Sequence, residues 1–196
     1  MDFKKIEYQC IILAAGCGRR ISGITNKRPK SLLKVNNKSL LEYHLDNLLE
    51  NNIRDVTIIV GFEKEQIIQH LKNKYKDLSI SLVYSEEYDS TNHSWSLFIS
   101  NKIVRKINKP VLVTHADTYY EPRLLNLLLD STFQNLILVD YDFSINTNDE
   151  LVVLGNNNIV SNLEYINNDC SSKIVGEFVG LHKFSYNFTI GFFDFL

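Results

Sequence analysis

The sequence predicts an α/β fold in three layers: a mixed, mainly parallel sheet with helices on both faces. Two observations carry this. Short apolar runs that end at glycine or polar turns alternate with segments whose apolar residues recur at helical spacing, as in βαβ units. Beyond Tyr141 the pattern shifts to weak two-residue alternation, which predicts added antiparallel strands. The 196 residues, 44% of them hydrophobic, suffice for one domain spanning 1–196 with a sizeable core.

The elements follow in order. Tyr8 to Ala15 is an apolar run stopped by Gly16, which reads as a buried strand. Gly16 to Pro29 is polar and glycine-containing, a loop. Ser39, with Glu42 three residues on, forms a capping box for a helix whose apolar face takes Leu41, Tyr43 or His44, Leu45, Leu48 and Leu49. Val56 to Val60 is a β-branched strand ending at Gly61. Ile67, Ile68, Leu71 and Tyr75 repeat at helical spacing. Ser79 to Tyr84 is the next strand, and Trp95 to Val104 a helix with Leu97, Ile99 and Ile103 toward the core. Val111 to Thr114 is a strand; Pro122 suits the first turn of a helix carrying Leu124 to Leu129. Leu136 to Asp140 is a strand, Glu150 to Leu154 and Ile159 to Ile166 a hairpin around Asn156 to Asn158, and Gly176 to Phe184 a last strand.

Composition excludes several classes. A formal charge of −2 and the absence of a basic block argue against nucleic acid as a partner. Cys10, Cys17 and Cys170 form no CxxC pair, so a zinc knuckle is not expected and a reduced, cytoplasmic setting is. The apolar stretch Cys10 to Ala15 is too short for a membrane span. No GxSxG elbow is present, and the five histidines make no HxxxH metal spacing; each reads as a surface or packing histidine.

The segment with chemistry in it is Leu13-Ala14-Ala15-Gly16-Cys17-Gly18-Arg19-Arg20, followed by Arg28-Pro29-Lys30-Ser31-Leu32-Leu33. A small-residue loop leaves the carboxyl end of the first strand, and successive N–H groups in such a loop cradle phosphate oxygens. Arg20 and Lys30 supply fixed positive charge for a triphosphate. The dinucleotide fingerprint fails at Ile21, and the Walker A pattern fails at Ile24, where its lysine should stand. The two glycines alone fit an ordinary strand-to-helix turn equally well; the arginine and the Pro29-Lys30 pair favour a phosphate site.

These runs resemble the signature of nucleotidyltransferases that couple a nucleoside triphosphate to a phosphorylated small molecule. The resemblance covers nearly the whole chain and implies a Rossmann-like fold and Mg²⁺ as cofactor. Its second landmark is Thr114-His115-Ala116-Asp117, and the match implies that Asp117 is the metal-binding carboxylate. Read alone, Asp117 fits a helix cap before Pro122 as well. Ser90 to Leu97, Leu138-Val139-Asp140 with Glu150 to Val153, and Gly176 to Leu181 resemble the phosphocholine cytidylyltransferase branch.

The implied reaction transfers CMP from CTP to a phosphorylated small amine such as phosphocholine and releases pyrophosphate. Arg20 would stabilise the leaving phosphates, and Lys30 would bridge the α-phosphate and the acceptor. Leu13, Ala14, Ala15, Gly16 and Gly18 would hold phosphates and ribose, with Glu86 and Asn92 near the base. Trp95, Tyr119, Asp140 and Glu177 are the acceptor candidates, against core packing for the aromatics and a solvated strand position for Glu177. The alternatives are a sugar-1-phosphate nucleotidyltransferase and a non-catalytic nucleotide-binding module.

Three departures stand out. Trp95 replaces a common tyrosine. Asn162 or Leu163 falls where a lysine is expected before the GEFVG run. The chain stops soon after Phe184, ahead of the helix and late strand that carry a second metal-binding aspartate, and Asp194 stands too close to Gly180 for that role. The missing helix should leave apolar sheet surface open and favour a homodimer.

Overall fold

The computed structural model describes residues 6–18, 27–142, 151–156, 158–165 and 174–196. Strand β1 (Gln9–Ala14) lies between β4 (Asp55–Val60) and β6 (Val111–His115), parallel to both, and β5 (Ser79–Tyr84) extends the parallel half beyond β4. A small separate ladder, β2 (Lys34–Val35) with β3 (Lys38–Ser39), precedes the first helix.

The chain then adds β7 (Leu136–Asp140), β8 (Leu151–Asn156), β9 (Ile159–Tyr165) and β10 (Ile174–Phe184). β10 runs antiparallel to β6, β7 and β8, and β9 antiparallel to β8. Among the described residues the sheet has eight strands, and all but β9 and β10 point the same way, so it is mixed and mainly parallel as predicted.

Alternation along β1 explains the three layers. Cys10, Ile12 and Ala14 face one side, where α1 (Leu40–Glu50), α2 (Lys64–Leu71) and α5 (Pro122–Asp130) contribute Leu41, Leu45, Leu48, Ile67, Leu125 and Leu128. Ile11 and Ala15 face the other, against Leu97 of α3 (His93–Phe98), Val104 of α4 (Asn101–Ile107) and Phe193 of α6 (Tyr186–Phe195). The capping box at Ser39 and Glu42 forms as the sequence predicts, and His44, not Tyr43, is the fully buried member of the α1 face.

Four expectations need correction. The helix over Trp95 to Val104 is two helices. Ser100, wholly buried, donates its hydroxyl to the Leu97 carbonyl at 2.6 Å, a local bond that competes with the helical ladder. α2 ends at Leu71 rather than Tyr75, because Asn73 and Tyr75 take left-handed backbone angles, although Tyr75 still packs on the core. The last strand begins at Ile174, two residues early. Most consequentially, a helix does follow Phe184: Ser185 accepts the Phe188 amide as N-cap, and Phe193 of α6 seals the sheet face expected to be bare.

No helix among the described residues is long and apolar enough to cross a membrane.

Candidate active site

The loop after β1 and the turn after β6 meet at the carboxyl edge of the parallel strands, where α/β sheets bind ligands. The Ala116 amide donates to the Leu13 carbonyl, and the Phe62 amide to the Ala15 carbonyl, both at 3.0 Å, which ties three strand ends together. Lys30 opens a single 3-10 turn, Lys30–Leu32, that follows Pro29 and is anchored by buried Leu32. Gly18 has φ +60°, and a Cβ there would lie 2.9 Å from Cγ and Cε of Lys30. The glycine thus allows both the left-handed turn and the lysine stem lying across it.

The Lys30 ammonium reaches Asp117 Oδ2 at 3.0 Å. Burial alone would raise the Asp117 carboxyl; the Lys30 charge and hydrogen bond outweigh it and hold the group below its ordinary value. Asp117 does not cap α5, whose N-cap is Glu121. Beneath it, His44 Nδ1 lies 3.3 Å from both Thr114 Oγ1 and the Tyr120 hydroxyl, and burial lowers that imidazole to about 4.

A polar cavity of about 320 Å³ opens over this pair. Leu13, Ala14, Ala15, Gly16, Gly18, Lys30, Asn92 and Asp117 line it, so the structure brings these candidates together. Tyr88, Thr91, His93, Ser96, His115 and Tyr165 join them; none was singled out in the sequence for this site. His115 carried a legible signal, its place at the carboxyl end of a parallel strand. The Ser31 hydroxyl also lines the cavity, buried and without a hydrogen-bond partner among the described residues. Arg20 lies outside the described residues.

Other candidates stand elsewhere. Glu86 is exposed in the turn after β5 and does not reach the cavity. Trp95 stacks on Phe98 with centroids 5.4 Å apart, and Tyr119 lies edge-on to Tyr43 at 5.1 Å; neither lines it. Asp140 and Glu177 face one another across the β7–β10 ladder, away from the cavity walls. Asp194 pairs with Arg105 of α4 at 2.5 Å and lines neither cavity.

A second cavity of about 360 Å³ adjoins the first and is mainly apolar, with Tyr165, Phe178, Phe184, Phe188 and Phe192 in its walls. His182 also lines it, its Nδ1 buried without a partner among the described residues and its pKa lowered by burial to about 3.

Residues 9–134 match the family model described as nucleotidyl transferase. The chain belongs to this family. A choline-phosphate cytidylyltransferase of Streptococcus pneumoniae is 38% identical over 126 residues, 64% of this chain and 52% of that protein. The chain therefore spans about half the length of that relative. A CTP:phosphoglutamine cytidylyltransferase of Campylobacter jejuni is 26% identical over 200 residues, covering 95% of this chain and 78% of the relative. Among solved structures, a CTP:phosphocholine cytidylyltransferase from Streptococcus pneumoniae superposes with a TM-score of 0.68 at 29% identity, over 97% of this chain and 76% of that one. The nucleotidyltransferase resemblance and the Rossmann-like fold both stand.

One carboxylate facing a polar cavity of about 320 Å³ fits a nucleotide-borne Mg²⁺, which takes one or two protein carboxylates and leaves the rest of its octahedron to phosphate and water. Among the described residues no cluster of three or more His, Cys, Asp or Glu could hold a metal alone.

Proposed function

We propose that the protein transfers a cytidylyl group from CTP to a phosphorylated small amine such as phosphocholine. The observation that carries this is the Lys30–Asp117 pair set against the small-residue loop on the floor of a polar cavity. The likeness to two CTP-using relatives supports cytidine as the nucleoside.

In the reaction an acceptor phosphate oxygen forms a bond to the α-phosphorus. The bond from that phosphorus to the bridging oxygen breaks, and its electron pair leaves with pyrophosphate. The acceptor is already an anion, so no protein nucleophile is needed, and the protein's work is positioning and charge neutralisation. Loop amides from Ala14 to Gly18 hold phosphate oxygens. Lys30 lies between the two anions that must approach, and Arg20 offsets charge on the leaving phosphates. Asp117 would hold Mg²⁺ on the triphosphate, where the metal supplies polarisation of the α-phosphate. Asn92 caps α3 by accepting the Trp95 amide on Oδ1 at 3.1 Å. Its Nδ2 therefore can donate to cytosine N3, an arrangement that uracil N3–H opposes.

The aromatic second cavity supports an amine acceptor, because aromatic faces attract a quaternary ammonium. A pyrophosphate-release screen of four nucleoside triphosphates against phosphocholine, phosphoethanolamine, aminoethylphosphonate and glucose 1-phosphate tests the reading. CTP with a phosphorylated amine should dominate. UTP with the sugar phosphate dominating would shift the function to the sugar-nucleotide class, in which an archaeal relative, a UTP–glucose-1-phosphate uridylyltransferase of Haloferax volcanii, is 31% identical over 86 residues.

A further inference from the structure

His93 and His115 stand where the two cavities meet: each lines both. His115 ends β6 and His93 begins α3, and their rings lie 4.3 Å apart between centroids, tilted by 53°. Neither ring is hydrogen-bonded to the described residues. Gly180 backs His115 from β10. Its φ is +76°, and a Cβ there would come 2.9 Å from the imidazole Cγ.

The two cavities make opposite demands. The first holds Lys30 and Asp117 and suits phosphates; the second is walled by aromatic rings, with no carboxylate among its described lining residues. A phosphorylated amine has the same two-ended character. Its phosphate must reach the α-phosphorus while its organic end lies in apolar surroundings, so the phosphate has to sit at the neck. Leu13, Asn92, His93, His115 and Tyr165 are shared between the cavities, and the imidazoles are the paired nitrogen donors among them.

We propose that His93 and His115 bind the acceptor's phosphate oxygens at this neck, with its organic group in the second cavity. This rests on the transferase reading above. Imidazole N–H groups there orient the attacking oxygen by hydrogen bonding.

The test is steady-state kinetics of His93→Leu and His115→Leu with CTP and phosphocholine, alongside His93→Gln and His115→Gln, which keep an N–H donor. Each leucine variant should raise the acceptor KM at least about tenfold, about 1.4 kcal/mol, with the CTP KM within about twofold and the glutamine variants partly recovered. An unchanged acceptor KM, or an equal rise for CTP, would overturn the assignment. Where a leucine substitution lowers the melting temperature, inorganic phosphate replaces it as the probe on wild-type protein. It should compete with phosphocholine and not with CTP, and competition against CTP alone would likewise overturn the assignment. If wild type releases no pyrophosphate with any pair in the screen, the transferase reading itself falls and takes this assignment with it. An active wild type with unaffected variants removes only the histidine role.

Discussion

At the scale of single residues, the site depends on a few groups whose loss should spare the fold. Lys30 is partly exposed and Asp117 opens to the cavity, so neither supports core packing. Lys30→Ala and Asp117→Asn should each lower turnover at least about tenfold, about 1.4 kcal/mol of barrier, with the melting temperature held within a few degrees. Unchanged kinetics at either position would remove its assigned role. Gly18→Ala should act on Lys30 at a distance in sequence, because the new methyl meets the lysine stem. Calorimetric titration with CTP should show weaker binding by about the same factor as Lys30→Ala; wild-type affinity would show that the stem relocates freely. Lys30, Asp117 and the glycine loop were legible because their spacing carries phosphate chemistry. Of the histidines at the neck, His115 carried only a positional signal, the end of a parallel strand, and His93 none, because an isolated His in sequence looks the same whether it packs or faces a ligand. Trp95 and Tyr119 were read by residue type alone, and in the structure each lies against a neighbouring ring, Phe98 and Tyr43, outside the cavity lining.

At the scale of elements, β10 sets the geometry of the second cavity. Its register shifts between Phe178 and His182, around Gly180, and both of these residues line that cavity. Gly180→Ala should destabilise the protein by roughly 1–2 kcal/mol, the cost of a side chain in a left-handed conformation, and displace His115. Urea denaturation reads the first effect and the acceptor KM the second. Wild-type values for both would show that the bulge does not hold the imidazole. Most elements were legible from apolar period, and their breaks were less so. The division between α3 and α4 turns on one buried hydroxyl at Ser100, and no periodicity records where a serine directs its hydrogen bond. The helix after Phe184 was missed because its apolar residues, dense in phenylalanine, show no clear polar face.

At the scale of the whole molecule, buried imidazoles link stability to pH. Burial lowers His44 to about 4 and His182 to about 3, well under the ordinary 6.5. The unfolded chain therefore binds protons between pH 6.5 and 4 that the folded chain refuses. Stability is fully present above pH 6.5 and falls as pH drops through that window. Urea unfolding at pH 7 and pH 5 should differ by on the order of 3 kcal/mol, and His182→Leu should flatten the dependence. Equal stabilities at the two pH values would mean that these rings reach water in the folded state.

The pairing of β10 also fixes an order of events during synthesis. β1, β4, β5 and β6 can pair with one another once His115 has been made. Among the described residues, β7, β8 and β9 have no ladder to that half except through β10, the last of the described strands. Until it arrives, the ribosome-bound chain presents β6 as an unpaired edge of Val111, Leu112 and Val113, the kind of edge that recruits other strands. The interval is the time needed to translate from His115 to Phe184, on the order of several seconds at about 5–20 residues per second. A nascent chain in that interval is a natural client for chaperones that shield sheet edges. Slow codons between β6 and β10 would lengthen its exposure without changing one residue of the finished protein.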